Sequence, residues 1–279
     1  MSEEYSAKSI KDVRGGFDLF EISRKIRKKG DMLIISKELK IKPRILGMVV
    51  DEARILSIFP ELDKSKAGIL ARLRTDRELI LFSKKYDIFK IHARDLIKLV
   101  RAWNQEIQVN PLLLVNQEEH DLFIGSLLGD ASIRQREINS CFRVAHSIKQ
   151  KDYINFKLKL LSNFNISEFQ NRKRIVNNRV YLTTKTHPIF NYYRNLFYKS
   201  GRKLITDDIL EQLTPRGLAY WICDDGSYDN KQGYIVLCTN SYSLEEHKLI
   251  QKFFIDRFGL NPTIGFRDKK YYYLRFKQD

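Results

Sequence analysis

Two nine-residue stretches, Phe123-Ile-Gly-Ser-Leu-Leu-Gly-Asp-Ala131 and Leu218-Ala-Tyr-Trp-Ile-Cys-Asp-Asp-Gly226, obey one rule: apolar residues at helical spacing run directly into an aspartate, and a small residue follows. Such a run folds as a helix with one buried side and delivers a single carboxylate at its C-terminal end. There the helix dipole and the last carbonyls disfavour a further anion unless something positive sits beside it. A divalent cation is the natural partner. Two such helices packed together would bring Asp130 and Asp225 side by side, and hard oxygen ligands sharing Mg²⁺ or another divalent cation are the usual apparatus of in-line phosphodiester displacement. Gly125 and Gly129 are four apart, the spacing of closely approaching helix backbones. The chain has no run of about 18 apolar residues, so close packing in a soluble core is expected, with no membrane partner.

From about Gln117 onward the chain resembles single-chain LAGLIDADG homing endonucleases and intron maturases. Beside the two motifs, Thr186-His-Pro-Ile-Phe190, Leu196-Phe-Tyr198, Arg202-Lys203, Leu213-Thr-Pro-Arg-Gly-Leu-Ala-Tyr-Trp221 and Tyr234-Ile-Val-Leu-Cys-Thr-Asn-Ser-Tyr-Ser-Leu-Glu-Glu246 occur in the family's order. The third motif position is Gly125 in one helix and Tyr220 in the other, which argues for two unequal halves in one monomeric chain and against a homodimer. The resemblance implies an α+β fold of two pseudo-symmetric halves, 119–205 and 206–279, whose antiparallel sheets form a saddle over DNA. It also implies that Asp130 and Asp225 bind metal and are catalytic, and that Asp224 is an extra acid beside them. Lys203 matches an active-site lysine that activates solvent or stabilises the pentacovalent phosphorus; a cationic cap at a helix end is the alternative. After Tyr271-Tyr-Tyr-Leu-Arg-Phe276 only three residues remain, so the second half reads as truncated, without its last helix and lysine, which predicts nicking or no cutting.

Charge points to the same class of partner. The 279 residues carry a formal net charge of +16 with 12% aromatic content, so the excess does not come from a disordered basic tail. Residues 1–110 hold 24 basic against 16 acidic residues and residues 111–279 hold 26 against 18, so both regions are expected to meet nucleic acid: double-stranded DNA, or intron RNA as the alternative. Three cysteines without CxxC spacing, Cys141, Cys223 and Cys238, exclude a zinc ribbon and a disulfide scaffold and read as buried thiols. The N-terminus carries no secretion or transit pattern, so action in the compartment of synthesis, a prokaryotic cytoplasm or an organelle interior, is expected.

Residues 1–105 read as a mainly helical, helix-turn-helix-like domain and 106–118 as a linker. Phe17 to Lys29 fits one amphipathic helix stopped by Gly30. Asp31–Lys40 and Ile41–Leu56 read as a short helix, a tight turn and a longer helix with Pro43 at its start, placing Lys42, Arg44 and Gly47 at the DNA-facing end, although an ordinary helical hairpin has the same pattern. Ile69–Arg74 and Glu78–Ser83 could pair as a basic hairpin around Thr75-Asp76-Arg77. Asp95 to Gln105 looks like a closing helix. In the larger domain Phe142 and Val144 alternate with Arg143 and Ala145, as on a strand with one packed and one DNA-facing side. Arg134 and Arg136, two apart, would point together into a groove. Arg172, Lys173 and Arg174 are phosphate contacts or a solvated loop, and Asn240 and Arg275 complete the expected nucleic-acid-binding set. The reading is a site-specific, metal-dependent DNA endonuclease with a long target site; an RNA-binding maturase without cutting activity and a DNA-binding regulator are the rivals.

Overall fold

The computed structural model describes residues 29–164, 178–268 and 270–277. The chain divides into two compact units, one holding the described residues up to Glu106 with a short stretch from Ser162, the other holding Ile107–Leu161 and the described residues from 178 onward. The expected helix from Phe17 lies outside the described residues, as do Arg172, Lys173 and Arg174.

The first unit is helical: α1 (Lys29–Glu38), α2 (Pro43–Ile58), α3 (Lys64–Leu70), α4 (Asp76–Lys85) and α5 (Ala93–Val109), the last continuing past the boundary. Gly30 sits in the first turn of α1, where it stops nothing. Pro43 opens α2, where its missing N–H has no partner to lose. The expected basic hairpin is absent. Of its two segments, Ile69 and Leu70 end α3 with Ala71–Arg74 in the turn that follows, and Glu78–Ser83 lies in α4, because Asp63 accepts from the N–H groups of Ser65 and Lys66 and Thr75 accepts from that of Glu78, each starting a helix. Asp76 and Glu78 then stand at the positive end of α4 and Lys84 and Lys85 at its negative end. Buried Leu79 and Phe82, three apart, give the inward face of a helix. The expected linker is also shorter. Helix α5 runs to Val109, a 3₁₀ turn takes Pro111–Leu113, and Pro111, Leu114 and Val115 are buried.

The second unit is α+β, built as two halves of one plan. In the first half α6 (Gln117–Leu128) is followed by β1 (Ser132–Gln135), β2 (Ser140–Ser147), α7 (Lys151–Leu160), β3 (Arg179–Thr183), α8 (Ile189–Phe197) and the short β4 (Tyr198–Lys199) and β5 (Arg202–Lys203). After α9 (Asp207–Glu211), the second half runs α10 (Pro215–Asp225), β6 (Gly226–Asp229), β7 (Tyr234–Leu237), α11 (Leu244–Phe258), β8 (Thr263–Arg267) and β9 (Tyr271–Lys277). Both sheets are antiparallel, ordered β1-β2-β3 and β6-β7-β9-β8. The plan shows in the registers: two residues after each motif aspartate, Ser132 pairs with Arg143 and Ser227 with Val236.

Helices α6 and α10 form the centre. Asn116 and Glu119 satisfy each other's backbone at the start of α6, and Thr214 with Pro215 starts α10. The two backbones touch, since any side chain at Gly125 would collide with the carbonyl of Gly217. Around Phe123 the rings of Phe142, Phe190 and Tyr193 pack at 5.2, 5.4 and 4.9 Å. Ser243 and Glu246 cap α11, and Gly259 ends it with φ +66°, a conformation that a side chain would strain. Of the three cysteines only Cys141 is buried; Cys223 is exposed. No helix among the described residues is long and apolar enough to cross a membrane.

Candidate active site

The C-terminal ends of α6 and α10 carry the two motif aspartates. Asp130 follows α6 with its side chain 42% exposed, and Asp225 is the last residue of α10. The Asp225 carboxyl is pushed up to about 7, first by burial and then by the negative charge of Asp130 and Asp224, with Lys203 acting in the opposite direction. Asp130 and Asp224 thus both add negative charge around Asp225.

Lys203 meets them through the backbone. Its ammonium, carried on β5, donates to the carbonyls of Leu127, Gly129 and Ala131 at 2.7, 3.0 and 3.1 Å, and the Tyr242 hydroxyl donates to that of Leu128 at 2.8 Å. These are the orphan acceptors at the end of α6. Lys203 therefore occupies the position of a helix cap that fixes the turn bearing Asp130, and all three of its donors are engaged. Burial pulls its ammonium down to about 8, against the pull of the three aspartates.

Asp224 points the other way. Its side chain is fully buried, and both oxygens accept from Lys157 on α7, at 2.7 and 3.0 Å. Gly129 makes room for it, since a methyl group there would lie 2.6 Å from the Asp224 Cβ. Burial raises the Asp224 carboxyl and lowers the Lys157 ammonium, so for both partners desolvation outruns their mutual attraction. Lys157 also stands 3.1 Å from Nε2 of His146, a buried residue of β2, over the ring of Tyr153 at 4.3 Å. While Lys157 is an ammonium it can only donate, so in that contact Nε2 of His146 is the acceptor. Nδ1 lies 3.2 Å from Asp130 Oδ2 but misaligned, so no hydrogen bond is formed there.

His146 and Lys157 were not singled out from the sequence, yet both left a signal. His146 continues the buried alternation of Phe142 and Val144, and Lys157 falls three residues after buried Ile154 on the inner face of α7, where a lysine needs a buried counter-charge.

The expected nucleic-acid contacts are dispersed. Arg134 is exposed on β1, whereas Arg136 lies one residue beyond the strand, its backbone N–H donating to the Asn139 carbonyl. Arg143 leaves the packed face of β2 and lies 4.8 Å over the ring of Tyr181. Arg275 on β9 donates to Thr263 Oγ1 at 3.2 Å and sits 5.2 Å over Tyr234. Asn240 follows β7, with Oδ1 buried and without a hydrogen-bond partner. Lys42 and Arg44 are exposed at the start of α2 in the other unit.

Among the described residues no three His, Cys, Asp or Glu side chains form a ready metal cage. The Asp130 and Asp225 oxygens nevertheless suit a hard divalent cation, which would offset both the burial of the Asp225 carboxylate and its repulsion by Asp130 and Asp224.

Residues 121–279 match the model of the LAGLIDADG DNA endonuclease family, and the chain belongs to that family. It is 29% identical over 185 residues to the cytochrome b mRNA maturase bI2 of Debaryomyces hansenii, covering 62% of this chain and 68% of the maturase. It is 27% identical over 164 residues to the protein RecA of Mycolicibacterium chitae, covering 54% of this chain but only 38% of that protein. Among solved structures, the homing endonuclease I-WcaI bound to its DNA recognition sequence superimposes with a TM-score of 0.51 at 23% identity, over 68% of this chain and 86% of that one.

Proposed function

We propose that this chain cuts double-stranded DNA at a long target site by divalent-cation-dependent phosphodiester hydrolysis, with Asp130 and Asp225 as its catalytic carboxylates. The observation that carries the reading is their convergence at the ends of two touching helices, where burial first, and the negative charge of Asp130 and Asp224 second, hold Asp225 near 7. When bound, Mg²⁺ supplies Lewis-acid stabilisation of the phosphoryl oxygens and a water of lowered pKa. Asp130 and Asp225 would hold the cation. Lys203 keeps the Asp130 turn in place through three carbonyls, His146 abuts Asp130, and Lys157 anchors α10 through Asp224. Arg134, Arg143 and Arg275 face solvent or stack on tyrosines, as phosphate-positioning groups do. The DNA named in the I-WcaI structure supports this choice of substrate.

The maturase relative favours a second reading, in which the same surface holds intron RNA without cutting. Selection of cut molecules from a plasmid library with a randomised target, with and without Mg²⁺, separates the two. The endonuclease reading expects cut products with Mg²⁺ that vanish in Asp130→Asn. Tight intron RNA binding with no cut product at any divalent cation would overturn it.

A further inference from the structure

We propose that α1 and α2 form a helix-turn-helix reader of double-stranded DNA, with α2 in the major groove and Arg44 and Met48 as its base contacts. This is a second binding site, carried by the helical unit.

The turn between the helices is only Leu39–Lys42, and Lys40 takes φ +51° to reverse the chain. It is fastened on both sides: the Leu39 N–H donates to Ile35 and the Ile41 N–H to Ser36, each at 2.9 Å, while the buried Ser36 hydroxyl donates back to the Ile41 carbonyl. Ile35, Ile41, Leu46, Val49 and Ala53 then form a shared core with Met32, Leu39, Ile45 and Val50 against it. Two short helices are locked into one body in this way, as a helix-turn-helix requires.

The outer face of α2 is unlike a solvated structural face. Arg44, Gly47 and Met48 lie at i, i+3 and i+4, on one side of the helix. Arg44 is exposed, Met48 is 43% exposed, and a methyl group built on Gly47 would meet nothing within 4 Å. Lys37, Lys40 and Lys42 are exposed around the turn. An open glycine and an exposed methionine, with cations on the turn beside them, match a partner that is apolar at its centre and anionic at its rim. A major groove has that chemistry, with thymine methyls and base edges between two rows of phosphates. A helix-turn-helix also reads bases from the first residues of its second helix, where Arg44 stands. Residues 29–106 hold 17 basic against 11 acidic residues, so the unit as a whole attracts the duplex.

Binding-site selection with the full chain in Mg²⁺-free buffer, from duplexes with a long randomised tract, tests this directly. The expected result is two blocks of base preference, a long one from the endonuclease halves and a short one of about four base pairs, the reach of one recognition helix. The short block should contain guanine for Arg44 and thymine for Met48. Arg44→Ala should flatten the guanine preference by about 5- to 150-fold, and Met48→Glu the thymine preference. Lys42→Gln should weaken all sequences alike and lower the salt slope by about 0.9. Lys98→Gln, an exposed charge change on α5, should leave the short block intact. A long block alone from the parent chain, or a short block unchanged in both Arg44→Ala and Met48→Glu, would overturn the proposal. A short block alone would support it and count against the endonuclease reading.

Discussion

The two halves of the endonuclease unit share one plan but not one chemistry. Two residues after each aspartate the strand registers coincide, and counting on from Arg143 and Val236 puts Thr239 in the second half where His146 stands in the first. His146 lies against Asp130, whereas the Thr239 hydroxyl is taken by Nε2 of His247 at 2.6 Å. Among the described residues, the basic groups that meet these carboxylates, His146, Lys157 and Lys203, come from the first half. Asp225 is raised to about 7, first by burial and then by the charge of Asp130 and Asp224, which Lys203 offsets only in part. A pseudo-symmetric fold has placed two carboxylates equivalently and surrounded them unequally.

The largest effect should come from the aspartates themselves. Asp130→Asn or Asp225→Asn should cut DNA slower by on the order of 10³-fold or more, the loss of several kcal/mol of charge stabilisation, while affinity for the duplex holds or rises because a negative charge is gone. Bound and cleaved DNA measured on one preparation give the contrast, and a variant that cuts like the parent removes that residue from the mechanism.

Next in size is the link between the halves. Lys157→Met strands the Asp224 carboxylate in a buried site and should cost about 3–5 kcal/mol in denaturant unfolding. Lys157→Met/Asp224→Leu should recover most of that loss, since both ends of the pair are desolvated at a cost. If the double variant is as unstable as the single one, the clamp is not the source of the effect. Gly125→Ala should cost about 1–3 kcal/mol by forcing α6 away from the Gly217 carbonyl, with Gly47→Ala on the open face of α2 as a neutral or stabilising control.

The smallest effect is a pH dependence. The folded value of Asp225, about 7, is above its unfolded value, so the native state retains a proton that the unfolded chain has lost. Its contribution to stability is present below about pH 4 and disappears as pH rises towards 7. Without divalent cations, the melting temperature of Asp225→Asn should therefore gain on that of the parent between pH 5 and about 8, and Mg²⁺ should close the gap. A constant difference across that range would mean that Asp225 ionises normally.

Much of the centre was legible in the sequence because a helix ending in an aspartate is a local pattern. The two motif helices, Pro43, and the strands around Phe142 and Leu274 follow from spacing alone. The failures have physical causes. Thr75-Asp76-Arg77 looks like a turn until Thr75 is seen to be three residues before Glu78, an N-cap spacing that makes the following segment a helix. The buried triad of His146, Lys157 and Asp224 could not be read off, because its members come from β2, α7 and α10 and only packing joins them. For Lys203 the sequence leaves an active-site lysine and a helix-end cap as alternatives, because its three carbonyl bonds depend on where β5 meets the end of α6.

Inequality of the two halves is the central claim, and strand-resolved cleavage tests it most directly. A selected target labelled separately on each strand should be cut with rates differing by roughly 10²-fold, the effect of one missing preorganised stabiliser, so that nicked duplex accumulates before linear product. His146→Thr, which gives the first half the residue found in the second, should narrow that difference by slowing the faster strand. Equal rates for the two strands in the parent chain, with no nicked intermediate, would contradict the account.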